Sequence, residues 1–423
     1  MTIADLPLED LDVIGAAHYA SGGYPHPEWT RLRAEAPLHR FHPEGYRPFW
    51  AVTKHADIIE ISRQPERFKS GGRFILFPEL PGVDAAALDE NPPLRMLVNQ
   101  DPPEHRDFRG LVSRWFTPRA VARLEERLVD ITDGLFDRLA ASADEDGWVR
   151  ADFVRDVAAR QPLRMVCEIL GIPDADEDFV LRITNQNFGL EDPEFALEGE
   201  TQAERLAFIT EAFAYFDRLI ADRREHPGDD LSSVLANAEI DGAPVGQFEL
   251  YSLLFLVMVA GHDTTRNGIS SGLLALLDHP DQLDALRGDP DLIETGADEI
   301  VRWTTPVNHF VRTATEDYEL RGVTIRAGEH LALFYASANR DEEVFEDPFA
   351  FRLDRDPNPH LGFGIGEHFC LGAHLARLDL KVFWRRFVAR VAEIDHDGPV
   401  ELLASSFVGG PKHIPVRMRI VPR

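Results

Sequence analysis

The sequence predicts a mainly α-helical fold with small β-sheets, built as one continuous domain over residues 1–423, and three observations lead there. Apolar residues recur with helical spacing from about Pro118 to Glu299. Strand-like stretches are few and short. No internal repeat, low-complexity tract or Gly/Ser linker separates the halves, which outweighs the two or three domains that length alone would permit.

Taken in chain order, Phe49 to Thr53 reads as a strand. Asp101-Pro-Pro-Glu-His-Arg-Asp-Phe-Arg109 reads as a helix start, with Asp101 as N-cap and Pro102 at the first helical position. His105 and Arg109 then share a face. Loops at Ser142–Trp148 and Glu225–Asp230 interrupt the helical region, which contains the long apolar stretch Leu253 to Leu277. A hairpin is expected over Tyr318 to Ile325, turning near Arg321-Gly322, with further strands at Leu331 to Tyr335 and in the alternating tail Pro415 to Val421.

Composition narrows the partners. The net charge of −29, from 73 acidic and 44 basic residues, disfavours a nucleic acid or an anionic membrane surface. Two cysteines far apart, Cys167 and Cys370, fit a reducing compartment and give no disulfide framework. Met1 to Ala20 does not read as a signal or transit peptide, and the longest apolar run, Leu253 to Ala260, is too short to span a bilayer. A soluble, cytoplasmic and monomeric protein without a membrane partner is expected.

Chemistry concentrates in His360-Leu-Gly-Phe-Gly-Ile-Gly-Glu-His-Phe-Cys-Leu-Gly-Ala-His-Leu-Ala-Arg377. Glycines before the cysteine let the backbone pass close to a bulky group, and the run beginning at Cys370 reads as a helix. A sulfur at a helix N-terminus is favoured as the thiolate, the form a metal ligand requires. Zinc is the rival reading, with His360, His368, Cys370 and His374 as borderline ligands. Structural zinc sites usually present paired cysteines, and zinc leaves the glycine-rich approach unexplained. Cys167, in Arg164-Met-Val-Cys-Glu-Ile-Leu170, reads as a small buried hydrophobe.

Phe363-Gly-Ile-Gly-Glu-His-Phe-Cys-Leu-Gly372 resembles the haem-binding signature of the cytochrome P450 superfamily, and further segments extend the resemblance over nearly the whole chain. It implies a cytochrome P450 fold enclosing haem b, with Cys370 as the axial iron ligand and Phe363 beside the thiolate. It further implies that Gly364, Gly372 and Ala260 border the haem, and that His105, Arg109, Arg312 and His368 reach its propionates. Glu367 reads as a solvated surface residue. Glu299 and Arg302 match the family's Glu-x-x-Arg pair, a structural lock whose third member is left between Arg352 and Arg355.

Ala260-Gly-His-Asp-Thr-Thr265 is similar to the family's oxygen-activation motif, so Asp263 and Thr264 are its expected acid and alcohol pair. The reaction implied is hydroxylation with O2 and two electrons from a ferredoxin with its reductase. Arg377, Lys381, Arg385, Arg386, Arg109 and Arg114 are candidates for a basic patch that steers this acidic donor. Segments Ser70–Gln100, Ile183–Phe208, Val257–Gly261, Pro306–Phe310 and Ser406–Val408 should border the substrate, with Val257, Gly261, Val307 and Phe407 lining the pocket. No carboxylate-anchoring cation is evident there, with Arg73 and Arg95 as the candidates from the first loop.

Trp303-Thr-Thr-Pro-Val, Ser337–Phe345 and Phe407–Lys412 resemble the bacterial terpineol-hydroxylating branch, which implies a compact monoterpenoid or an alkyl or polycyclic aromatic substrate. A steroid or a fatty acid is the alternative substrate. A haem-thiolate sensor or electron carrier that oxygenates nothing is the alternative of another class, and the acid and alcohol pair speaks against it.

Overall fold

The computed structural model describes residues 3–79, 94–188, 192–195 and 202–423. Its axis is the long helix Gln247–Asp278. At about 1.5 Å per residue its 32 residues cover roughly 48 Å. It is apolar on nearly every side, as a helix that runs through a core must be. Leu254, Met258, His262, Ile269, Leu273 and Leu276 are all fully buried.

Among the helices that pack on it are the crossing helix Arg160–Leu170, the helix Ile293–Thr304 and the proximal helix Ala373–Arg390. Glycines set two of the crossings. A Cβ on Gly261 would meet Val166 at 2.8 Å, and one on Gly272 would press on Trp384 at 3.1 Å and Ile300 at 3.2 Å. Below the second crossing, Phe136, Phe153, Phe383, Trp384 and Phe387 form a fully buried aromatic core. No helix among the described residues is long and apolar enough to cross a membrane.

A five-stranded sheet flanks the helices, in the order Leu38–Phe41, Phe49–Val52, His330–Phe334, His309–Ala314, Phe68–Lys69. Its one parallel pairing joins His330–Phe334 to Phe49–Val52, so the chain crosses most of its length before closing the sheet. The tail strand Pro415–Ile420 lies between Val391–His396 and Val149–Asp152. The hairpin turns where expected: Arg321 and Gly322 have φ of 53° and 75°, the pair of positive values that a two-residue turn between twisted strands requires.

Two local expectations are corrected. The proximal helix starts at Ala373, so Cys370 sits in the loop before it. The anchoring helix starts at Glu104, and Asp101 does not cap it. Its carboxylate instead accepts the backbone N–H groups of Ser70 (2.8 Å) and Gly71 (2.9 Å), tying the first loop to this helix.

Candidate active site

The loop ahead of Cys370 depends on two left-handed glycines, Gly364 (φ 65°) and Gly366 (φ 78°). At Gly366 there is also no room for a side chain, because a Cβ would lie 2.3 Å from the Ser62 carbonyl oxygen. The turn closes when the Cys370 N–H donates to the Phe363 carbonyl at 2.9 Å. Burial pushes the Cys370 thiol up, while the Gly372 N–H at its sulfur and the nearby Arg109 and Arg377 pull toward the thiolate. Phe363 is pinned from behind by the Arg377 guanidinium, 4.5 Å from its ring centroid. Cys167 is buried, with its thiol pushed up to about 12 by burial.

The zinc reading loses a ligand here. His360 spends both ring nitrogens, one on Asp298 at 3.0 Å and the other as acceptor of the Gly362 N–H.

Next to the cysteine lies a group of donors short of acceptors. His105 is fully buried and its Nε2 has no hydrogen-bond partner among the described residues. Arg312 is buried too, and has no carboxylate in ion-pair range among the described residues; its Nη1 donates only to the Val311 carbonyl, at 2.9 Å. Burial holds the Arg312 guanidinium below its ordinary range. His368 Nε2 meets the Ser70 hydroxyl at 2.9 Å, and burial, then Arg312, His105 and Arg109, drive that imidazole far below its usual value. Arg109 Nη2 donates to the Phe369 carbonyl at 2.7 Å. A buried cation without a carboxylate and a buried imidazole nitrogen without an acceptor suit an anionic ligand, so this set fits the two carboxylates of a haem, with a sulfur at hand for its iron.

Glu367 is not the solvated residue expected. It accepts from Arg106 at 2.8 and 3.2 Å and lies 3.4 Å from His105 Nδ1, so it holds the His105 ring in place. Sequence reading missed it because an acidic residue in a polar loop carries no signal of its partner.

On the long helix, Val257, Ala260 and Thr264 share one face that the other helices do not cover, while Met258, His262 and Asp263 beside it are buried. Val257 and Leu371, the neighbour of Cys370, pack against the same apolar cluster. The helix stays continuous through its threonines, with the Thr264 hydroxyl donating to the Ala260 carbonyl at 2.6 Å. Asp263 is fully buried and pairs with Arg266 Nη1 at 2.7 Å; His262, also fully buried, has its Nδ1 3.4 Å from the same carboxylate oxygen.

The expected pocket segments converge in part. Phe310 lies 5.7 Å from Phe407 and 6.3 Å from Phe74, ring to ring, and Val307 bridges to Val408. His309 clamps three of these segments: its Nε2 accepts the Leu76 N–H at 3.1 Å and its Nδ1–H donates to the Ser406 carbonyl at 3.2 Å. Gly261 answers to helix packing instead, since its missing side chain would strike Val166. Neither candidate anchor is a ready one: Arg95 pairs with Glu104, and Arg73 is buried with its guanidinium 4.1 Å from the Phe77 ring centroid. Residues 80–93, 189–191 and 196–201 of the expected lining lie outside the described residues.

Glu299 and Arg302 are both fully buried and form a two-pronged pair at 2.7 and 2.8 Å. Arg302 also donates to the carbonyls of Asn339, Pro348 and Ala350. The third member is Arg355, 3.2 Å from Glu299, while the Arg352 side chain turns to Asp354. Asn358 adds a bond to Glu299 at 3.2 Å.

The basic patch is largely neutralised. Arg377 pairs with Asp298, Lys381 and Arg385 with Glu294, and Arg386 with Asp133. Arg114, Arg119 and Arg123 are exposed and have no carboxylate in ion-pair range among the described residues.

Comparison with known proteins agrees with this geometry. Residues 198–392 match the family model described as Cytochrome P450. The chain is 39% identical to "Cytochrome P450-terp" of Pseudomonas sp. over 409 residues, 94% of each chain. It is 37% identical to "Steroid C26-monooxygenase" of Mycolicibacterium smegmatis, over 91% of this chain and 88% of that one. Among solved structures, Mycobacterium marinum CYP268A2 in complex with pseudoionone superposes with a TM-score of 0.88 at 37% identity, covering 97% of this chain and 99% of the other. The chain therefore belongs to the cytochrome P450 family, and is a monooxygenase that binds haem b.

Proposed function

We propose that this monooxygenase hydroxylates a compact hydrophobic molecule, a monoterpenoid or an alkyl or polycyclic aromatic, with electrons from a ferredoxin and its reductase, residues 1–423 acting as one domain. Cys370 would hold the iron, and His105, Arg109, Arg312 and His368 the propionates. When bound, the haem supplies the site where O2 is reduced and split under the push of an anionic sulfur. Thr264 orients O2 and a water through its hydroxyl, and Asp263 passes protons inward from solvent. Val257, Val307, Phe310 and Phe407 exclude water and hold the substrate by apolar contact.

The observation that carries the substrate class is the aromatic cluster Phe74, Phe310 and Phe407, reinforced by ion-pairing of Arg95 that removes a carboxylate anchor. The name of the Pseudomonas relative points the same way. A second reading, a steroid or a fatty acid, draws on the relative named steroid C26-monooxygenase. For the electron donor, exposed Arg114, Arg119 and Arg123 offer the cationic surface that the paired residues of the proximal helix do not.

Optical titration of the ferric protein with monoterpenes, alkylbenzenes, polycyclic aromatics, steroids and fatty acids tests the substrate class. A saturable low-to-high-spin shift with one compact apolar class is expected. A shift with steroids or fatty acids alone would replace the substrate assignment and leave the haem chemistry standing.

A further inference from the structure

Asp263 lies between two unlike neighbours on its own helix. Arg266 Nη1 stands 2.7 Å from Oδ1, an ion pair without hydrogen-bond alignment. His262 Nδ1 stands 3.4 Å from the same oxygen and has no hydrogen-bond partner among the described residues. The other ring nitrogen settles the tautomer: Nε2 faces the Ala159 carbonyl at 3.2 Å, and a carbonyl only accepts, so Nε2 carries the hydrogen. In the neutral ring Nδ1 is then a bare lone pair 3.4 Å from a carboxyl oxygen, with both residues fully buried.

Two lone pairs facing each other repel, whereas a carboxylic acid O–H facing the same lone pair makes a hydrogen bond. We propose that His262 is a positioning residue that serves as the acceptor for the acid proton of Asp263, while Arg266 holds the same side chain when it is ionised. Asp263 thus has a fitted partner in each protonation state, and the proton it takes from solvent waits on a defined atom before passing toward Thr264. Among the described residues, the charged groups that act on His262 are Asp263 and Arg266 on the long helix and Arg160 on the crossing helix. Burial keeps His262 neutral, with its imidazole lowered to about 4. The inference rests on the reading of Asp263 as the proton donor.

The test compares wild type, H262L, H262Q and D263N as haem-loaded proteins. In H262L the acid loses its acceptor, so the alkaline limb of the turnover profile should move to lower pH by about one unit. H262Q keeps an acceptor and should restore the profile. Independently of turnover, the infrared band of the protonated Asp263 carbonyl, identified by its loss in D263N, should move to higher frequency in H262L. Should H262L not fold, the 15N shift of His262 Nδ1 in the ferrous carbonyl form carries the test, and should change in D263N.

An H262L profile and infrared band equal to wild type, alongside a D263N protein that loses turnover, would overturn the role of His262 alone. So would an Nδ1 shift indifferent to D263N. Unaltered turnover in D263N would overturn the reading of the acid on which the proposal stands.

Discussion

His105 and His368 lie ring against ring, centroids 4.4 Å apart and planes tilted by 48°, the first on the anchoring helix and the second in the loop before Cys370. Burial lowers both imidazoles, so they meet as neutral rings beside Arg312 and Arg109. That contact joins two segments more than 250 residues apart into one cradle for an anion. Replacing Arg312 by leucine should speed haem transfer to an acceptor apoprotein about tenfold or more, since a hydrogen bond to a charged group contributes about 1.5–3 kcal/mol. An unchanged transfer rate would remove Arg312 from the cradle.

Breaking the buried network at Glu299 should be costly. R302L leaves the carboxylate without its two-pronged partner and should lower stability by about 3–5 kcal/mol in urea unfolding. R355Q should cost less, because Arg302 and Asn358 still reach Glu299.

His309 gives the fold a pH dependence with a definite sign. Burial lowers its folded imidazole to about 4, below the ordinary value of 6.5. Between those values the unfolded chain binds the extra proton, so stability is full above about pH 6.5, declines as pH falls and levels off near pH 4. In H309Q the difference in urea midpoint between neutral and mildly acidic buffer should shrink. An equal difference would mean that His309 is not buried as a neutral ring.

For proton delivery, D263N should lower product formation by about a hundredfold, the scale of a lost general acid. T264A should keep consuming O2 but yield less product per electron pair, read as the ratio of product to reduced nicotinamide oxidised. Equal ratios in T264A and wild type would count against the hydroxyl's role in orienting O2 and water.

Much of this architecture was legible in the sequence because its signals are local. The glycine run before Cys370, the apolar length of the long helix and the Arg321-Gly322 turn each state their geometry within a few residues. What was missed depends on distant partners. Leu38–Phe41 and His309–Ala314 become strands by pairing across the sheet, without alternation of their own. Val149–Asp152 lies inside a region of helical spacing and is claimed by the tail strand. Asp101 looked like a cap because caps are local, whereas its real partners, Ser70 and Gly71, approach only in the folded chain. The same holds for Glu367, and for the proximal cations whose acidic partners sit on other helices.

Every other role at the site depends on the sulfur of Cys370, and the most direct measurement is the absorption spectrum of the reduced protein under carbon monoxide, taken for wild type, C370S and C370H. Wild type should show the strongly red-shifted Soret band that an anionic sulfur opposite carbon monoxide produces. C370S should lose it, and C370H should move to the band of an imidazole-ligated haem while circular dichroism stays that of the folded helical protein. A red-shifted band that persists in folded C370S would contradict the assignment of Cys370 as the iron ligand.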